Sequence, residues 1–187
     1  MDAITAIHTR RSVRAFADRA VPRELIAELI ADAAHAPFTP IAKDGAWRFT
    51  VIEGRARIAD YGARALEYAR ANRPQLRGYE WTERAGFSVF HGAPVVIIIA
   101  GREALPVALE ECTRAGQLLD IAGNARGLGL CWVGAPDLWL RDSAVREELG
   151  VPEGWRPYTT FAVGYAAEGV AAARAERPPL LIDWREG

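Results

Sequence analysis

The chain of 187 residues holds one lysine, Lys43, along with two cysteines, three histidines and one methionine. Each scarcity removes a class of function. Cys112 and Cys131 form neither a CxxC pair nor a disulfide framework, so a reducing cytoplasm is the expected compartment. His8, His35 and His91 are scattered, with no HExxH and no Cys/His spacing suited to zinc, and no metal site is expected. There is no GxSxG, and Cys131 has no histidine near it in sequence, so the chain shows no serine or cysteine nucleophile of a familiar kind. The 23 basic and 24 acidic residues leave a formal charge of -1. A nucleic-acid partner, which rewards a surplus of Lys and Arg, is therefore not expected. The longest apolar run, Val95 to Ala100, is far short of the ~20 residues that span a bilayer. The first residues carry Asp2, Arg10 and Arg11 rather than the apolar core of a signal peptide, so no membrane partner is expected either.

Phosphate-binding loops are also missing. No GxxxxGK[ST] occurs. Gly127–Leu128–Gly129–Leu130–Cys131–Trp132 opens like a dinucleotide fingerprint but has Trp where the third glycine belongs. It also lies between a helix and a strand, the reverse of the order that mechanism needs. A phosphate-bearing cofactor would have to be held by side chains, arginine above all. With no protein-borne nucleophile or metal in view, catalytic residues are expected to be none, and a borrowed cofactor fits better.

What is present is globular: half of the residues are hydrophobic and a quarter charged, enough for one domain over 1–187 with a sizeable core. Asp2 is placed to cap a short first helix with Ile4 and Ile7 on one face. Pro22 opens a second, with Leu25, Ile26, Leu29, Ile30 and Ala33 as its buried stripe. Trp47, Phe49 and Val51 alternate as in a half-buried strand. An Ala/Arg-rich helix follows from Arg55 to Asn72. Val95 to Ile99 is apolar on both faces and belongs inside a sheet. The pattern from Glu103 to Arg126 predicts the longest helix, with Leu105, Leu109, Cys112, Leu118, Leu119 and Ile121 inside, stopped by Gly127 and Gly129. Leu128 to Val133 and Tyr158 to Tyr165 read as strands, Ser143 to Leu149 as a short helix, and the tail from Ala166 as extended chain. The expected class is α+β.

Two constellations carry chemistry. In Arg10–Arg11–Ser12–Val13–Arg14, an extended backbone sends Arg10, Ser12 and Arg14 to one side. Two guanidinium forks and a hydroxyl suit a phosphate monoester. The same stretch also reads as a solvated basic turn, since short basic clusters are common on surfaces. The second is Trp132–Val133–Gly134–Ala135–Pro136, where a strand runs out into a Gly/Pro turn. A free N–H at Gly134 or Ala135 there would face a ligand at the sheet's end; alternatively the turn only closes the strand, with Trp132 in the core.

Taken in order, the segments resemble the nitroreductase family of flavoproteins over nearly the whole chain. The matching pieces are Arg10 to Phe16, Ala34–His35–Ala36–Pro37, Trp47–Arg48–Phe49, Gly92–Ala93–Pro94, Gly127 to Gly134, Leu149 to Gly154, Val163 to Glu168 and Arg177–Pro178–Pro179–Leu180. The resemblance implies a three-layer α/β/α fold around a mixed, mostly antiparallel sheet, an intertwined homodimer, and FMN at the subunit interface. It also implies ping-pong transfer of reducing equivalents from NAD(P)H to a small-molecule acceptor such as a nitroaromatic or quinone. By position, Arg10, Arg11, Ser12 and Arg14 would hold the FMN phosphate and pyrimidine edge, with Arg177 joining the phosphate. Pro37, Phe38 and Thr39 would line the flavin from the partner subunit. Trp132, Val133 and Gly134 would cover its other side, with the Gly134 or Ala135 N–H near N5. Tyr68, Tyr79, Trp81, Phe87 and Phe90 are candidates for the wall of the acceptor slot, or for core. The chain departs from the family in the segment from Phe38 to Ala46, where a Ser/Thr–x–Asn–x–Gln–Pro run is usual. Alternatives within the resemblance are a specialised branch (reductive dehalogenation or flavin cleavage) and a non-catalytic flavin-binding dimer.

Overall fold

The sheet is built around the most apolar stretch of the chain. The computed structural model describes residues 1–40, 45–72, 80–169 and 183–185. Strands β1 (Arg48–Glu53), β2 (Val95–Arg102), β3 (Gly129–Trp132) and β4 (Trp155–Gly164) lie in the order β1-β2-β4-β3, and every pairing is antiparallel. β2 is central, so both of its faces need cover. Val95, Ile97 and Ile99 enter one core with Phe161, Val163 and Leu130. Val96 and Ile98 enter another with Ile52, Ala162 and Cys131. The period of two splits one apolar run between two cores. Burying each such Val or Ile contributes about 1.5–3 kcal/mol.

Helices close both faces. α2 (Arg23–Ala33) and α4 (Ala108–Ala125) cover the first core through Ile26, Leu29, Ala33, Cys112, Ala115 and Leu119. α3 (Arg55–Asn72), α5 (Asp137–Leu140) and α6 (Ser143–Glu148) cover the second through Ile58, Ala65, Trp139, Leu140 and Val145. The result is the expected three-layer α/β/α arrangement. α1 (Ala3–Thr9) is capped by Asp2, whose carboxylate accepts the Thr5 N–H at 3.0 Å.

Several sequence expectations are corrected. α4 begins at Ala108, not Glu103, because Pro106 biases Leu105 away from helical geometry. It is therefore no longer than α3, at 18 residues each, and Leu109 is exposed. Its C-terminus is closed as the glycine signal predicted: Gly127 has φ +76°, the Leu128 N–H donates to Gly123 O at 2.9 Å and the Gly127 N–H to Asn124 O at 3.1 Å. Pro22 precedes α2 as its cap rather than starting it. In β1 the alternation fails at Val51, which is exposed, while Ile52 is buried. β4 starts three residues before Tyr158. The one-turn helix α5 leaves no signal in the sequence, since four residues carry no periodicity. Of the tail, Ala166 makes a bridge to Phe16, and residues 170–182 lie outside the described residues.

Candidate functional site

The basic segment is extended, as its alternation required. Ser12 forms a parallel bridge with Leu130, the Val13 N–H donates to Leu130 O at 2.9 Å, and Phe16 bridges Ala166 in the antiparallel sense. Ser12 and Val13 thus lie along the outer edge of β3, and residues 15–17 go on to pair with residues 165–167, just past the end of β4. Gly129 permits the approach: a Cβ there would meet Val13 Cγ2 at 2.6 Å and its Cβ at 2.7 Å. The solvated-turn alternative is thereby excluded for the backbone.

The side chains divide. Arg10 pairs with Asp120 of α4 at 3.2 Å, both largely buried. Arg14 is exposed, and it acts on the Cys131 thiol together with Arg10, against the burial that pushes that thiol up. Arg10 and Arg14 therefore serve one side of the segment. Arg11 turns back to its own chain and donates to His8 O at 2.8 Å and Arg10 O at 2.7 Å. Ser12 is exposed. Burial pushes the Asp120 carboxyl up to about 6 even though the Arg10 charge opposes it.

At the end of β3, Trp132 is 59% exposed, which removes the alternative that it is core. Val133 is buried and its N–H is spent on Thr160 O at 2.8 Å. Gly134 is exposed, with open space where a Cβ would stand, and among the described residues nothing accepts the Gly134 or Ala135 N–H. Beside them is a cavity of about 210 Å³ lined by Trp132, Gly134, Asp137, Tyr158 and Thr160. One strand thus carries guanidiniums on its flank, and an exposed ring and free donors at its tip.

Pro37, Phe38 and Thr39 are not brought there. Phe38 is 50% exposed and meets Trp47 edge-on with centroids 5.6 Å apart, while the Thr39 N–H donates to Glu111 Oε1 at 2.6 Å. Glu111 and Asp120 are nine residues apart on α4, roughly 14 Å along the axis and half a turn round. The two halves of the expected cradle belong to opposite ends of that helix. Arg177 and Tyr79 lie outside the described residues. Phe90 is buried, and Tyr68, Trp81 and Phe87 are half-buried against the same core, which favours core for that group of aromatics.

Two largely buried acids of α4 lie outside the expected constellations. Glu111 is 1% exposed, and Asp120 sits inside Leu118–Leu119–Asp120–Ile121. Both left a signal: Glu111 stands four and eight residues before the buried Ala115 and Leu119, and an acid amid apolar neighbours needs a partner. Among the described residues no cluster of His, Cys, Asp and Glu is fit to hold a metal, and no helix is long and apolar enough to cross a membrane.

A family model described as the Nitroreductase family matches residues 7–165. A relative from Methanothermobacter thermautotrophicus, provisionally named an NADH dehydrogenase/NAD(P)H nitroreductase, is 29% identical over 172 residues, covering 90% of this chain and 79% of its own. A nitroreductase with bound FMN from Bacteroides fragilis shares the fold at a TM-score of 0.86, with 24% identity over 100% of both chains. Oxidised iodotyrosine deiodinase bound to FMN and 3-iodo-L-tyrosine does so at 0.78, with 21% identity over 99% of this chain and 100% of its own.

Proposed function

Because the chain belongs to the Nitroreductase family, we propose that it is an FMN-dependent oxidoreductase that carries reducing equivalents from NAD(P)H to a nitroaromatic, quinone or similar conjugated acceptor by a ping-pong route. The observation that carries this reading is the attachment of the Arg10–Arg14 segment to β3 through Ser12 and Val13. It puts the side chains proposed for the phosphate along the same strand as the free donors at Gly134 and Ala135.

The residues fit FMN by their chemistry. Arg10 and Arg14 are donors only, and the Ser12 hydroxyl has one O–H to donate, as a phosphate monoester requires. Arg11 is spent on main-chain carbonyls and contributes charge alone unless it turns. Arg177 is the further phosphate partner proposed from the tail. Trp132 and Val133 would cover one side of the ring system, and the Gly134 or Ala135 N–H would be the donor offered to N5. Pro37, Phe38 and Thr39 line the opposite side from a second copy, because one copy holds them at the far end of α4. That separation supports a homodimer.

FMN, when bound, supplies the two-electron chemistry, and the protein supplies binding, orientation and electrostatics. Arg14 places a positive charge by the pyrimidine edge and favours negative charge there. Trp132 and Phe38, both exposed in one copy, shield the cavity from water once two copies meet. The same slot receives donor and acceptor in turn.

The test is the visible spectrum of the purified protein, followed by anaerobic addition of NADPH. The expected protein is yellow, or takes up added FMN, and loses its flavin absorbance with NADPH. A colourless protein that refuses FMN would overturn the reading. Bound flavin that NADPH leaves unchanged would instead support a non-catalytic flavin-binding dimer. Fast turnover of nitrofurazone or a quinone separates the general reductase from a dehalogenating branch.

A further inference from the structure

We propose that Asp120 is a positioning residue for Arg10 that gives up the guanidinium to an incoming phosphate monoester and takes up a proton as it does so. The proposal rests on the FMN reading and adds to it a group outside the expected cradle.

The geometry is a buried pair with one loose end. Asp120 Oδ2 lies 3.2 Å from Arg10 Nη1, and the two side chains are 14% and 24% exposed. Asp120 Oδ1 is fully buried and has no hydrogen-bond partner among the described residues. A carboxylate left in that condition is held by one cation alone. Removing the cation's attention makes the neutral form the better one.

Among the described residues the neighbours leave no substitute. From the segment after α1, Arg10 is the charged group that faces Asp120. From β3 the neighbour is the Cys131 thiol, which feels Asp120, Arg10 and Arg14 together. On α4 itself, Asn124 is one turn on, and its amide donates to Ala6 O and to Thr9 Oγ1, both at 2.9 Å. From α2, Glu28 and Asp32 are held by Arg126 at 3.5 and 2.6 Å. A phosphate that engages Arg10 therefore competes with Asp120 for the one ion-pair partner it has among the described residues, and it adds like charge nearby. Both effects favour protonation of the carboxyl. Burial already holds that carboxyl at about 6, so the proton is available near neutral pH.

The sign follows from linkage. A ligand whose binding takes up a proton binds more weakly as pH rises, by up to about tenfold per pH unit for one proton. Above pH 6 the unmodified protein should lose FMN affinity relative to Asp120→Asn, which has no proton to take up.

The experiment titrates flavin-free protein, unmodified and Asp120→Asn, with FMN and with riboflavin between pH 6 and 8.5, following flavin fluorescence. The expected result is an FMN affinity ratio between the two proteins that changes by up to about tenfold per pH unit. Riboflavin, which has no phosphate, should give a constant ratio. Because the FMN phosphate's own ionisation is common to both proteins, it cancels. Parallel pH profiles for FMN would overturn the proposal, and so would a uniform weakening of both ligands, which marks a merely structural role. Should the variant not fold, calorimetry on the unmodified protein in buffers of different ionisation heat serves instead. Proton uptake on FMN binding near pH 7 beyond that for free phosphate is expected, and its absence would overturn the proposal. If the unmodified protein binds neither flavin at any pH, the FMN reading itself falls, and this proposal with it.

Discussion

The main-chain N–H of Thr39 donates to Oε1 of Glu111 at 2.6 Å, across 72 residues of chain. The bond ties the loop after α2 to the start of α4. Phe38, the residue before it, is thereby held with its ring edge-on to Trp47 and half in solvent.

Replacing Glu111 by alanine should therefore loosen that loop as well as the core. Loss of a charged acceptor leaves the Thr39 N–H unsatisfied, at about 1.5–3 kcal/mol. Glu111→Gln keeps an acceptor and should cost less. Urea denaturation gives the stability change, and amide exchange at Thr39 shows whether the loop opens locally. Unchanged exchange in the alanine variant would mean that the bond does not hold the loop.

Gly129 poses a steric test of how the basic segment is attached. Alanine there would place its Cβ 2.6–2.8 Å from three side-chain carbons of Val13. A β-branched valine has no rotamer that withdraws all three, so the segment itself must move. Gly129→Ala should destabilise by about 1–3 kcal/mol, the usual range for overpacking. It should also weaken FMN uptake, which rests on the FMN reading. Full affinity in a destabilised variant would show that Arg10 and Arg14 do not depend on the β3 contact.

Much of this was legible in advance, for physical reasons that differ by element. Val95 to Ile99 announced a central strand because a run apolar on both faces has no other place in an α+β chain. Gly127 announced the end of α4 because a helix closing through positive φ favours glycine. The start of α4 is not legible, because apolar spacing continues through Leu105 while Pro106 overrides it locally. Asp120 was invisible to periodicity for a different reason. A buried acid is decided by its partner, and the partner, Arg10, is 110 residues away in the chain. Arg10 itself is legible by residue type, but its pairing is not.

The two cysteines should be silent toward thiol reagents in the native state. Burial, with the Glu111 charge adding to it, pushes Cys112 up to about 12, and burial also pushes Cys131 up. The thiolate is the reactive form, so both should remain unlabelled at pH 8 and both should react in denaturant. Labelling of Cys131 in the folded protein would show that Arg10 and Arg14 outweigh burial there.

The buried pair of Arg10 and Asp120 should also mark the pH dependence of stability. Burial raises the Asp120 carboxyl from 3.8 to about 6 in the folded chain, with Arg10 opposing. Below 3.8 the group is protonated whether folded or not, and the stability it contributes is complete. Between 3.8 and 6 the unfolded chain releases a proton that the folded chain keeps, so stability falls as pH rises through that window. Above 6 the loss levels off. At about 1.4 kcal/mol per pH unit, the whole window amounts to about 3 kcal/mol. Asp120→Asn has no such titration, so the difference between the two proteins isolates it from every other carboxylate. In flavin-free protein, the stability of the unmodified chain relative to the variant should be lower at pH 7.5 than at pH 4 by about 2–3 kcal/mol. Denaturant unfolding across that range measures it. A constant difference would place the carboxyl at its ordinary value, with Arg10 fully offsetting the cost of burial.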